Sequence, residues 1–358
     1  MTTSRPFELD WYAADLRTGA ILEDLQTLTA PALSRRLGEA TTATFDLALD
    51  GAPRSWRSAT EHGRTLLVGV DRLTQAPLWA GVVLNRRRGS ATTVSLATAT
   101  LETYLGRRYT GALALVGVDQ GQVLAALAAV PASQGPPFVV DVQTTGTVMD
   151  YLVEDSDDRT VLSALQEVMD LEDGPEWTVD VAWNTARNGF VFPLRGRARI
   201  GLDAPEGVFD FPGAVTAYEQ EESYEDGRGA TIVQAYGEGE GPARLTSGPL
   251  TADDLLAGGW CRWVYRYTPA TGITDPDALA SHARRDLAAM RTGSSVWSLE
   301  ATASRAPRLG TDWSLGDTVR LQIAASPGHP DGATVAARAW AWELDPAADT
   351  VRPILVEE

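Results

Sequence analysis

The chain has 358 residues, room for two or three domains of roughly 100–200 residues each. It is 44% hydrophobic and 22% charged, enough apolar material for sizeable cores and too much for a disordered segment. Its 30 basic residues, every one an arginine, face 48 acidic ones, and a net charge of −18 excludes a surface built to grip nucleic acid all round.

A single cysteine, Cys261, leaves no partner for an intrachain disulfide or a thiolate metal cage. The stretch from Met1 to Asp10 lacks the apolar core of a secretory signal. The longest apolar runs, Ala112–Val116 and Val123–Val130, fall far short of the ~20 residues that span a bilayer. A chain made soluble, in a cytoplasm, without a targeting address is expected.

The first hundred residues have a β pattern. Phe45, Leu47 and Leu49 alternate with Thr44, Asp46 and Ala48, and Asp50-Gly51 supplies a turn. Thr65–Val70, Trp79–Leu84 and Val94–Ala97 are further strands, with a helical turn at Thr100–Leu105. In the middle, Asp119 can cap a helix carrying Leu124, Leu127 and Val130 that Pro131 stops. Asp158 can cap a second, with Leu162, Leu165 and Met169 on one face and Gly174 beyond its end. Trp177, Val179, Val181 and Trp183 then alternate with polar or small residues, and Asn188-Gly189 turns the chain into Phe190–Phe192.

Beyond residue 201, Glu219–Asp226 and Gly237–Gly241 are expected loops around a strand at Thr231–Tyr236. Trp263–Tyr267 is short and aromatic. Asp275-Pro276 opens a helix with Leu279, Ala283, Leu287 and Met290 as its stripe and Gly293 at its end. Val296–Ala301, Val319–Ile323 and Val335–Leu344 are the closing strands.

A faint internal repeat runs through this pattern. Thr44–Leu49 leads through Pro53 and Trp56 to Gly63-Arg-Thr65, then to the strands Leu66–Val70 and Trp79–Asn85. Val296–Ala301 leads through Pro307 and Trp313 to Gly316-Asp-Thr318, then to Val319–Ile323 and Val335–Leu344. A duplication and shared β punctuation both account for it; if duplicated, two similar barrels flank a mixed domain.

Catalytic chemistry is harder to find. His62, His282 and His329 lie far apart with no metal spacing and suit solvated or packing roles. No G-x-S-x-G elbow is present, and Cys261, between Trp260 and Trp263, suits a small core position. Gly237–Gly241 carries two glutamates and no lysine, which fits a flexible loop better than a phosphate cradle. Asp155-Ser-Asp-Asp158 begins like a calcium loop, but its Gly and Glu are out of register, so helix capping accounts for it better. Acidic pairs are too numerous to mark a glycosidase. Some of the 11 tryptophans could stack sugars, though Trp177, Trp183, Trp340 and Trp342 sit at packing positions of strands. Arg86-Arg-Arg88 is either a solvated turn or a contact for an acidic partner. No catalytic residue, metal ligand or cofactor is assigned.

Three further stretches resemble a known group. They are Leu315–Ile323 with Pro330-Asp-Gly332, Ala337–Asp345 with Val351–Ile354, and an opening of Trp11–Gly19, Leu33-Ser-Arg-Arg-Leu37 and Thr44–Gly51. Together they resemble, over nearly the whole chain, the tail hub proteins of long-tailed phages of actinobacterial type, which are similar in turn to the baseplate hubs of contractile tails. The resemblance implies an α+β, β-rich fold of two related β-barrels with inserted mixed material. The expected division is an N-terminal barrel at 1–108, a mixed α/β domain at 109–200, a second barrel at 201–249 and 295–358, and a helical insertion at 250–294. It also implies a structural virion protein at the tail tip, assembled in the host cytoplasm, and not an enzyme. Three copies would join the hexameric tail tube or distal tail ring to a threefold spike or fibre. Genomic DNA or a tape measure would pass through without specific binding, and the chain itself would not enter a membrane. Under that implication Glu219, Glu221, Glu222, Asp155 and Asp157 are candidates to face the channel, and Arg86, Arg87 and Arg88 to touch a partner. A tail-associated cell-wall hydrolase and a carbohydrate-binding module using exposed tryptophans are the alternatives.

Overall fold

A computed structural model describes residues 7–133, 135–203, 207–237, 241, 244–269 and 275–357. The start of the chain and most of Gly237–Gly241 thus lie outside the described residues.

The first unit is a curled sheet. Its strands are β1 (Leu9–Asp15), β2 (Ile21–Asp24), β3 (Leu28–Thr29), β5 (Thr42–Ala48), β6 (Thr65–Asp71), β7 (Pro77–Arg87) and β8 (Thr93–Thr100), in the order β2-β1-β6-β7-β8-β5-β3. The two edge strands are consecutive in sequence, joined by residues 25–27 alone, so the sheet bends nearly into a barrel. Alternation of apolar and polar residues, as in the eBeBeBi burial of β5, points Phe45 and Leu47 inward, where Phe45 meets Trp11 and Trp79 edge-on or tilted. Short helices α1 (Trp56–Ala59) and α2 (Glu102–Leu105) close its ends.

The middle unit carries β9 (Leu113–Asp119), α3 (Gln120–Ala132), β10 (Phe138–Val142), β11 (Val148–Val153), α4 (Val161–Met169), β12 (Glu176–Val179), β13 (Ala182–Trp183) and β14 (Phe190–Arg197). Strand β14 is its hub, parallel to β10 and antiparallel to β12 and β13. Asp119 caps α3, its carboxylate accepting the Gly121 N–H at 2.7 Å while Gln122 reaches back to the Asp119 N–H. Two sequence expectations change here. Pro131 lies inside the last turn of α3 rather than stopping it, and Thr160, not Asp158, caps α4. Asp158 adopts a left-handed conformation after a 3₁₀ turn at Asp155–Asp157.

The second curled sheet is built from β15 (Val208–Phe211), β16 (Val215–Ser223), β20 (Ser294–Thr302), β21 (Thr318–Ile323), β22 (Ala333–Asp345) and β23 (Thr350–Val356), in the order β15-β21-β22-β23-β20-β16. Again consecutive strands form the edges. Between β16 and β20 the chain makes a small unit of β17 (Ile232–Ala235), β18 (Leu250–Thr251), α5 (Asp253–Ala257), β19 (Val264–Tyr267) and α6 (Pro276–Met290). It has its own core of Ala230, Val233, Ala235, Leu279 and Ala283. Within the stretch expected in the second barrel, Ile232–Ala235 pairs with β18 and β19 instead.

The repeat extends to register. Strands β5, β6, β7 and β8 occupy the same sheet positions as β20, β21, β22 and β23. A bulge interrupts β7 after Val83 and β22 after Ala339. At each, the glycine of the Gly-x-Thr motif donates its N–H to that residue's carbonyl, Gly63 to Val83 at 2.7 Å and Gly316 to Ala339 at 2.8 Å. Both glycines have positive φ, +74° and +92°, a conformation that glycine reaches without strain.

One strand breaks the symmetry. Strand β4 (Leu33–Arg36) leaves the first unit and pairs antiparallel with β22, Leu33 opposite Leu344 and Arg36 opposite Ala341. A single hydrophobic core accordingly runs through both curled sheets and the middle unit.

Candidate functional site

The joints between the three units hold the buried charge of the molecule. Arg35 on β4, 8% exposed, reaches Thr178 Oγ1 at 2.8 Å, the Val179 carbonyl at 2.5 Å, Asp180 at 3.2 Å and the buried Glu102 at 3.5 Å. Arg338 on β22, 3% exposed, donates to both oxygens of Glu176 and to the carbonyls of Ile200 and Gly316. Arg308 clasps Asp71 with both arms, at 2.6 and 2.5 Å, and covers the Phe7 ring. Burial raises the Asp71 carboxyl, but hydrogen bonds from Arg308, the Leu73 N–H and the Thr74 hydroxyl hold it below the usual carboxylate range.

The bidentate contacts of Arg338 with Glu176 and of Arg308 with Asp71 are the kind that fix orientation as well as supply attraction. A cleft of about 290 Å³ opens where the units meet, lined by Arg35, Asp180, Arg195, Leu78, Leu309 and Trp342. Its charges neutralise one another, Asp180 bridging Arg35 at 3.2 Å and Arg195 at 2.9 Å, so the cleft behaves as a joint.

The predicted contact residues lie elsewhere. Arg86 is committed internally: its guanidinium donates to the carbonyls of Arg57 at 2.5 Å and Thr60 at 3.2 Å and lies 5.7 Å from the Trp56 ring centre. Arg87 and Arg88 are exposed at the tip of β7. Glu219, Glu221 and Glu222 are exposed too, but on the edge strand β16 rather than in the expected loop. Strand alternation puts Glu219 and Glu221 on one face and Glu222 on the other, so a single lumen does not receive all three. Asp155 and Asp157 are exposed on the 3₁₀ turn before α4.

Cys261 is exposed, not a core residue, because it lies between β18 and β19 on the open side of the inserted unit. Trp260 and Trp263 beside it are 43% and 54% exposed, and Tyr224 packs against both, ring centres 5.2 and 6.0 Å away. A cleft of about 520 Å³ is lined by Trp260 and Tyr224 together with Glu222, Ser295 and Glu357. Among the histidines, His282 is buried on α6, where burial lowers its pKa. His329 bonds the Tyr218 hydroxyl at 3.0 Å. Among the described residues no group of His, Cys, Asp and Glu could hold a metal ion, and no helix is long and apolar enough to cross a membrane.

Sequence reasoning missed the three arginine joints and the crossing of β4. The only local signal for the latter was the alternation Leu33, Arg35, Leu37, all of which turn out to be buried.

No family model and no curated protein sequence matches the chain. Solved structures do, along nearly its full length. It is similar to the tail protein from Neisseria meningitidis MC58, with TM-score 0.59 and 12% identity over 99% of this chain and 97% of that one. The prophage MuSo2 43 kDa tail protein from Shewanella oneidensis gives TM-score 0.59 and 14% identity over 98% of each chain. Prophage tail protein gp18 from Listeria monocytogenes EGD-e gives 0.55 and 12% over 98% and 94%. The chain has the β-rich α+β fold of these tail proteins.

Proposed function

We propose that this chain is a structural protein of a phage-type tail: a homotrimeric hub at the distal end, of the kind its sequence resembles in actinobacterial phages. The observation that carries this reading is the pair of curled sheets with matching strand order, bulge and glycine bond in one polypeptide. A chain with two equivalent units lets three copies offer six near-equivalent surfaces to a hexameric tube or distal ring, while a threefold spike or fibre meets the other side. The full-length likeness in fold to tail proteins supports the same reading.

In such a ring the net charge of −18 favours passage of DNA without adhesion, since a lumen that lacks clustered cations offers phosphates no counter-charge. Asp155, Asp157 and Glu219, all exposed, are the acidic side chains proposed to face it. No catalytic step is assigned. Negative-stain imaging and sedimentation of the purified chain test the proposal. A threefold particle with a central opening is expected, and a monomer at every concentration would remove the trimer.

The exposed Trp260 and half-buried Tyr224 lining the 520 Å³ cleft, with the exposed Trp263 packed on Tyr224, favour a second reading, a saccharide-binding surface. Its test is tryptophan fluorescence titrated with host-wall oligosaccharides; an unchanged spectrum at millimolar sugar removes it.

A further inference from the structure

The equivalence of the two curled sheets has one unfilled position. In the second sheet, β22 continues past the end of β21, and the segment Ala341–Leu344 has β23 on one side and β4 on the other. In the first sheet, β7 likewise continues past the end of β6. With Val83 matching Ala339 at the shared bulge, Asn85–Arg88 is the counterpart of Ala341–Leu344. Asn85, Arg86 and Arg87 pair with β8 on one side, Arg88 follows the end of β7, and among the described residues no strand pairs with the other side. An open strand edge of this kind is a template for an added strand.

The strand that would fill it has a counterpart as well. In the first sheet the chain runs from β3, where Leu28 pairs with Leu47, directly into β4. In the second sheet Val215 of β16 pairs with Ala301, the position that matches Leu47. Counting on from Leu28 and Val215, Leu33–Arg36 corresponds to Gln220–Ser223. That segment forms the outer end of β16, paired with β20 on one side and, among the described residues, with no strand on the other. Its own sheet cannot use it to cover Asn85–Arg88 as β4 covers β22, but a second copy can.

We infer that the end of β16 in one copy pairs antiparallel with the tip of β7 in a second copy of this chain. This rests on the self-assembly reading above and specifies its contact. Transferring the β4–β22 register puts Ser223 opposite Asn85, Glu222 opposite Arg86, Glu221 opposite Arg87 and Gln220 opposite Arg88. The exposed Arg87 thus faces Glu221, whose partner within its own copy is Arg228, and an opposite-charge pair of this kind stabilises a cross-strand contact where like charges would oppose it, while Arg86 keeps its bonds to the Arg57 and Thr60 carbonyls. The contact joins different surfaces of the two copies, so it repeats head to tail and generates a ring if the rotation closes. Each sheet would then donate one strand segment to the next sheet around the ring, alternately within and between copies.

The experiment uses the full-length chain with Cys261→Ser, carrying Arg87→Cys, Glu221→Cys or both. Mild oxidation of the mixed single variants should give a covalent dimer, and the double variant a covalent closed oligomer. Separately, sedimentation should show Arg87→Glu and Glu221→Arg each weakening self-association about tenfold or more, with the combined charge swap restoring it and Arg87→Lys leaving it unchanged. Circular dichroism confirms that each variant is folded. A wild-type oligomer with no 87–221 cross-link, and undiminished by either reversal, would overturn this contact while leaving the ring. A wild-type chain that stays monomeric at every concentration and forms no cross-link would overturn both.

Discussion

Asp71 and Arg308 show how much a single side chain can hold in this molecule. Asp71 is fully buried and has Arg308 as its charge partner, across a joint between the two curled sheets. Removing the arginine leaves a buried carboxylate without compensation, a change that typically costs about 3–5 kcal/mol. Arg308→Ala should therefore lower stability by about 3 kcal/mol or more in urea unfolding, well beyond what an exposed arginine such as Arg352 would cost. The acid side follows from the sign of the shift. Because the folded carboxyl is depressed, its contribution is complete above the unfolded value of about 4 and is lost as pH falls through the folded value. Asp71→Asn should flatten the decline in stability below pH ~4; a decline as steep as in the wild type would count against this assignment.

At the scale of elements, local chemistry was largely legible in the sequence. The Asp275-Pro276 start of α6, the Asp119 cap of α3 and the alternating strand β5 form as the pattern predicts, because each depends on neighbours within a few residues. Two elements test this. Asp119 accepts from Gly121 and also from the Thr145 and Gly146 N–H groups, so Asp119→Ala should cost about 2 kcal/mol, the top of the usual range for a cap. Gly81 sits in β7 where an added Cβ would lie 2.2 Å from the buried Trp79 ring. Gly81→Ala should destabilise by about 1–3 kcal/mol, measured by thermal unfolding, since that ring is fully enclosed. What stayed illegible depends on distant residues. Glu219–Glu222 has the composition of a loop, and it is strand because β20 offers a partner along its full length. Arg35 has the composition of a surface residue, and it is buried because Glu102 and Asp180, far away in the chain, come to meet it.

For the whole molecule, the division of cores predicts two tiers of stability. The curled sheets and the middle unit share one continuous core, whereas the inserted unit around α6 relies on a handful of small residues and Leu279. Hydrogen exchange should show amides of β17 and α6 opening at markedly lower free energy than those of β6 or β21. Uniform protection would show that the insertion is locked to the rest. Such locking would run through Arg284 and Arg285 on α6, which pair with Glu172 and Asp170 beyond α4. The fold class and the doubled sheet pattern were visible in the sequence, as were the strands that build them; the way the halves are clasped was not.

The crossing of β4 to β22 also sets an order of events during synthesis. Leu344, the residue that Leu33 pairs with, leaves the ribosome roughly 300 residues after it. At about 5–20 residues per second that is an interval of some 15–60 s. Throughout it, Leu33 and Arg35 of β4, and Leu37 just after it, wait unpaired although they belong in a core. A nascent chain is thus exposed to wrong partners throughout that interval, and correct closure waits on the synthesis of β22.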